Sequence, residues 1–185
     1  MRVFSEAGYE PASMDAIAET ASVSKRTIYN HYPSKRDLYL FLLGRFVDKV
    51  SRAKHLRYDP ESPIADQLEQ ILRAEMNILD DPVSLGFGFS IYQFLQKEPR
   101  VGSAIARSSS GKDEALQNWL KSACEDGRLC IEDPEKAGAL LWALHEGVIL
   151  LPAILTRRFS PELVEYQLSE IIQMFLCRFS PDTPA

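Results

Sequence analysis

The sequence predicts an all-α chain in two modules, a small N-terminal helical unit joined by a long helix to a larger helical remainder. Three observations carry this. Apolar residues recur at helical spacing and nowhere alternate with period two over a useful length. Ser62-Pro63, Asp81-Pro82, Asp133-Pro134 and Ser160-Pro161 each put an N-cap residue before a proline, whose missing N–H is no loss in the first turn. Asp59-Pro60-Glu61-Ser62-Pro63 interrupts the pattern and sets a boundary between residues 1–58 and 59–185.

In chain order, Met1 to Ala7 reads as the end of a helix with Val3, Phe4 and Ala7 inward and Gly8 as its stop. Ser13 caps a second helix whose Met14, Ile17, Ala18 and Ala21 make one narrow apolar face. Ser22-Val23-Ser24 is a tight turn with Val23 as an apolar plug and Ser24 as the next cap. The third helix, Lys25 to His31, buries Ile28 and turns its polar side chains outward. Pro33 ends it, and Ser34 to Asp37 has capping-box form. A longer helix then runs from Lys35 towards Arg57, with Leu38, Phe41, Leu42, Phe46 and Val50 inward and a basic second half. The N-terminal unit is a helix-turn-helix whose second helix presents hydrogen-bond donors.

Phe4, Ala7-Gly8-Tyr9, Ser13, Ile17-Ala18, Ala21, Val23-Ser24, Thr27-Ile28-Tyr29, His31-Tyr32, Lys35 and Leu38 together resemble the N-terminal signature of the TetR family of transcriptional regulators. The likeness spans roughly the first quarter of the chain. Ser22 stands where that family usually has glycine, and the first helix is short, its expected beginning lying before Met1. The resemblance implies a DNA-binding domain at 1–58 and an effector-binding, dimerising domain at 59–185. Lys25, Arg26, Thr27 and Asn30 are then expected at base edges, Arg or Lys suiting guanine and Asn adenine. Ser13, Ser24, Tyr29, His31 and Lys35 are expected at phosphates, so that Lys35→Ala would flatten the salt dependence by about one unit.

Charge agrees with this division. The net charge is −5, yet residues 20–57 carry nine Lys or Arg against two acids, which suits double-stranded DNA at one end only. Cys124, Cys130 and Cys177 match no zinc spacing and read as thiols in a reducing cytoplasm, with a Cys124–Cys130 sensor as the lesser reading. No apolar run is expected to cross a bilayer, and the N-terminus lacks a signal-peptide layout.

Helices in the second module are expected near 63–79, 82–97, 101–126, 134–156 and 161–178, the third bending or fraying at Ser108 to Gly111. Phe87, Tyr92, Trp119, Trp142 and His145 could line a cavity for a small apolar effector, or simply form core. Gly86 and Gly88 interrupt one helix, and Pro152 kinks another, which favours space beside them. Leu140, Leu144, Gly147 and Leu151, with Tyr166 and Met174 on the last helix, offer surface for the homodimer the resemblance implies. The reading is a repressor released from a palindromic operator, with no cofactor and no metal.

The competing classes are a small all-α enzyme and a helical adaptor. His145-Glu146 lacks the second histidine of a zinc helix, no strand precedes the glycines near Phe87, and Gly111-Lys112 lacks the rest of a phosphate loop. An adaptor would have no need of the Lys25–His31 face.

Overall fold

The computed structural model describes residues 1–50, 57–76, 79–108 and 110–181, and every regular element among them is helical. The N-terminal unit comprises α1 (Arg2–Ala7), α2 (Met14–Thr20) and α3 (Lys25–His31), and α4 (Lys35–Val50) leads out of it. The second module holds α5 (Ile64–Arg73), α6 (Pro82–Lys97), α7 (Pro99–Ser108), α8 (Ser110–Glu125), α9 (Pro134–His145), α10 (Leu151–Thr156) and α11 (Pro161–Phe179). Residues 51–56, the basic continuation expected of the linking helix, and residue 109, in the expected weak point between α7 and α8, lie outside the described residues.

Most helix starts follow their caps. Ser13, Ser24, Asp81, Asp133 and Ser160 each accept a backbone N–H from the first turn they precede. Ser34 accepts the Asp37 N–H at 3.1 Å, and its hydroxyl donates to the Asp37 carboxylate at 2.6 Å, a variant of the capping box in which the hydroxyl takes the place of the backbone N–H. Ser62 departs from expectation. Its hydroxyl donates to Asp59, Pro63 becomes the N-cap of α5, and that helix ends at Arg73.

The turn between α2 and α3 explains itself. The Val23 N–H reaches the Ala18 carbonyl at 3.0 Å and the Ser22 N–H reaches Glu19 at 3.0 Å, a Schellman ending for α2. Ser22 occupies its left-handed position at φ +54°, where a residue without a Cβ is less strained. Val23 is exposed there, not a plug.

Two modules meet along α6. Phe4, Tyr39, Phe46, Phe87 and Phe94 form one buried aromatic cluster drawn from α1, α4 and α6. Being gripped from two sides, α4 buries Tyr39 and Leu43 besides Leu38 and Phe46, while Phe41 is 50% exposed. On α1 the same crowding buries Ser5 and leaves Ala7 outside. The Tyr39 hydroxyl bonds Ser90 Oγ at 2.9 Å in the buried seam, and burial pushes its pKa up to about 12. At the end of α4, Lys49 Nζ reaches Ser84 Oγ at 3.0 Å and Asp81 at 3.5 Å. The Ser84 hydroxyl foremost, then the Val83 N–H and Lys49, holds the Asp81 carboxyl below its ordinary value. That cap's contribution is therefore complete above the ordinary carboxylate range and is lost as pH falls through the lowered value.

Pro152 follows a change of helix type. A π-helical turn, Glu146–Leu150, joins α9 to α10, and the Leu151 N–H bonds the Glu146 carbonyl five residues back. The wider turn accommodates the proline, which has no N–H to donate. The resulting run, Pro134–Thr156, is long and apolar enough by composition to span a membrane, which corrects the sequence expectation. Its apolarity has a two-sided cause here: Leu141, Trp142, Ile149, Leu150 and Ala153 are buried, while Leu140, Val148, Leu151 and Leu155 lie exposed.

Candidate nucleic-acid interface

Ile28 is the one buried residue of α3, at 8% exposure, and anchors it against the three-helix core. Lys25, Arg26, Thr27, Tyr29, Asn30 and His31 are all exposed, as the spacing predicts. Arg26 and Asn30 stand four apart on one face, and neither has a hydrogen-bond partner among the described residues. Lys25 pairs with Asp15 at 2.7 Å across the turn. The hydrogen bond to Asp15, then its charge, raises the lysine pKa, so Lys25 is fully cationic at neutral pH. Asp15 lies in the first turn of α2, where the helix dipole also favours its charge.

The serine and threonine hydroxyls are already engaged. Ser24 Oγ accepts the Thr27 N–H at 3.0 Å and lies 2.7 Å from Thr27 Oγ1. Ser13 Oγ accepts the Ala16 N–H at 3.1 Å, an arrangement that leaves its own proton to give. Tyr29 is exposed, and the exposed His31 ring tilts against Tyr32 at 6.4 Å.

Lys35 is a correction. Its ammonium donates to the carbonyls of Tyr9 at 2.9 Å, Glu10 at 2.9 Å and Ala12 at 3.0 Å, and lies 4.6 Å from the centre of the Tyr9 ring. All three protons are taken, so none is left for a phosphate in this conformation. The lysine instead ties the α1–α2 connection to the start of α4. Lys35→Ala should lower stability by about 1–2 kcal/mol, the half-exposed site reducing the usual value for bonds to a charged donor. Thermal melts at several salt concentrations, with salt-dependent DNA binding beside them, check this: the melt should shift and the salt slope should hold.

The five residues expected to line an effector cavity have different neighbours. Phe87 belongs to the aromatic seam with α1 and α4. Trp119 stacks edge-on against Tyr58 at 5.7 Å and donates to Gln67 Oε1 at 3.3 Å. Trp142 and His145 adjoin each other on α9, buried, with ring centres 6.2 Å apart. Tyr92 is 39% exposed. Helical periodicity identified these as bulky positions but could not say which helix each would face. Gly86 has a packing reason of its own, since a Cβ there would lie 2.1 Å from Ser5 Oγ.

The expected interface residues are largely outward. Leu140 is 50% exposed, Tyr166 61% and Met174 52%; Leu151 and Gly147 are also exposed, and Leu144 is half-buried. α11 packs against both α9 and the π-helical turn. Leu155 and Phe159 are also exposed and were missed by the sequence reading.

A family profile described as bacterial regulatory proteins, tetR family, matches residues 1–41. A second, described as the AefR-like transcriptional repressor C-terminal domain, matches residues 66–181. The chain belongs to the TetR family. This TetR-family chain is 50% identical over 114 residues to the transcriptional activator FasR of Mycolicibacterium smegmatis, a match covering 62% of the chain and about half (52%) of that protein. It is 26% identical over 145 residues to the regulator RutR of Escherichia coli K12, covering 76% of the chain and 65% of RutR. Among solved structures, a TetR-family regulator from Pseudomonas syringae superposes with a TM-score of 0.73 at 28% identity, covering 96% of this chain and 90% of that one. An Agrobacterium tumefaciens regulator gives 0.74 at 17% identity, covering 98% and 90%, a likeness of fold. The TetR-family chain is thus a DNA-binding transcriptional regulator and not an enzyme.

Proposed function

We propose that this regulator is a dimeric, ligand-responsive repressor that leaves a palindromic operator when a small, largely apolar effector binds. The observation that carries the DNA half is the exposed α3 face, where Arg26 and Asn30 stand side by side with no internal partner among the described residues. Arg26 and Asn30, with Lys25 and Thr27, read base edges, while Ser13, Ser24, Tyr29 and His31 hold phosphates. Lys35 acts behind this face, holding the loop that sets α2. Release follows from linkage: an effector favouring a conformation with misplaced recognition helices draws the population off DNA. The seam through α6 supplies the mechanical connection, since α6 touches α1 and α4 at once. Repression is favoured by the match of residues 66–181 to the AefR-like repressor domain.

Gel shifts on the DNA upstream of the protein's own gene test the reading. Arg26→Ala and Asn30→Ala should each weaken binding to the preferred site by about 1–3 kcal/mol and relax base preference at one position per half-site. Unchanged affinity and unchanged preference in both variants would rule this face out as the reader.

A further inference from the structure

The largest concavity of those described is not among the aromatic residues but in the seam between the modules. A cleft of about 800 Å³ opens between α1, the first turns of α6 and the α10–α11 connection. A second hollow, of about 390 Å³, adjoins it and shares Leu79, Asp80 and Phe159 as a common wall. Both lie within the range of small-molecule sites, roughly 300–1,000 Å³.

The chemistry along this groove is graded. In the first hollow Leu79, Leu85 and Phe159 supply apolar walls, and Arg157 and Arg158 supply charge. Neither arginine has a carboxylate within ion-pairing distance among the described residues. The Arg157 guanidinium lies 4.7 Å from the centre of the Phe89 ring. That contact holds the guanidinium by its charge and uses none of its N–H donors. Glu6 and Asp80 also border the cleft and bring its formal charge to zero, so it suits one negative charge held locally and disfavours a polyanion. In the second hollow Arg73 pairs with both Glu69 and Glu165, which leaves Asp80 on the shared wall as a carboxylate with no ion pair among the described residues. A ligand also meets there the apolar surface of Met76, Phe159 and Val164.

We propose that this seam groove is the effector site, and that it takes an elongated monocarboxylate, its head on Arg157 and Arg158 and its alkyl tail over Phe159 towards Met76 and Val164. The inference rests on the ligand-responsive reading above and gives it a site and a ligand class. Its regulatory logic is direct. Ser5 and Gly86 both line the cleft, and they form a very close approach of the DNA-binding module to α6. A ligand wedged beside that contact acts on α1 without passing through the core of the second module.

Titration calorimetry without DNA, using decanoate, 1-decanol and decylammonium as probes, tests the site apart from the repressor reading. Decanoate should bind at one site per chain, at least about tenfold tighter than either other probe, and Arg158→Gln should remove at least about tenfold of that affinity while leaving the melting temperature unchanged. Arg157→Gln serves as a second variant, its melt recording any disturbance of the α10–α11 connection. Equal binding of decanoate and 1-decanol, decanoate binding indifferent to both substitutions, or no decanoate binding at millimolar concentration would each overturn the proposal. A separate arm measures binding to the upstream DNA with and without decanoate. Failure to bind that DNA in the absence of decanoate counts against the repressor reading alone; normal binding that decanoate leaves unmoved counts against the seam groove as the effector site.

Discussion

Gly147→Glu should yield a monomer that no longer holds operator DNA. The substitution is well suited to isolating the interface, because a Cβ at Gly147 would meet nothing within 4 Å in the single chain. Gly147 lies in the π-helical turn without a positive φ, so a side chain there brings no left-handed backbone strain. Any defect must then come from a carboxylate set into the apolar surface of Leu140, Leu151, Tyr166 and Met174, where dimer burial would strand it. Sedimentation should report 20.9 kDa for the variant and twice that for the parent protein. Operator affinity should fall at least ~100-fold, since one helix-turn-helix reads a single half-site. A variant that still sediments as a dimer would move the interface elsewhere.

The second large effect is expected at Gly86. In an exposed helix Gly→Ala is stabilising, yet here the new methyl would sit 2.1 Å from Ser5 Oγ and 2.8 Å from the Ser5 carbonyl oxygen. A hydroxyl can rotate away; a backbone carbonyl can retreat only if α1 moves. Overpacking of this kind costs about 1–3 kcal/mol and outweighs the helix gain, which for a chain of this size lowers Tm by several degrees, roughly 2–4 °C per kcal/mol. Because α1 supports α2 and α3, DNA affinity should fall as well. Ser5→Ala in the same chain should recover only part of the loss, as it removes the hydroxyl and leaves the carbonyl. Full recovery in the double variant would show that the hydroxyl alone sets the contact. A Gly86→Ala protein melting at or above the parent temperature would show the seam to be looser than described.

Local chemistry was legible wherever the deciding partners were near in sequence. Ser13, Ser24, Ser34, Asp81, Asp133 and Ser160 were each read as caps from residues within a turn, and each is one. The outward face of α3 was legible for the same reason. Lys35 was not, because its carbonyl partners lie 23 to 26 residues earlier and backbone acceptors leave no mark on a sequence. The neighbours of the aromatic residues were hidden likewise: Phe87 and Trp142 share helical spacing with core residues everywhere, and only the fold sets Phe87 against Tyr39 in the seam. The five-residue step ahead of Pro152 was not legible either, because nothing in the sequence around a proline distinguishes it from the ordinary four-residue step.

The seam also bears on how such regulators can be recombined. Residues 1–58 look like a portable reading head, and the charge pattern encourages that view. Yet Phe4, Tyr39 and Phe46 in the first 58 residues complete their burial against Phe87 and Phe94, which belong to the second module. A severed head would present a sticky aromatic flank, and a graft onto a foreign partner would inherit a socket cut for someone else's rings. Exchange between relatives should therefore respect α6 as part of the head's foundation, so that the natural unit of inheritance is the head together with the helix it stands on.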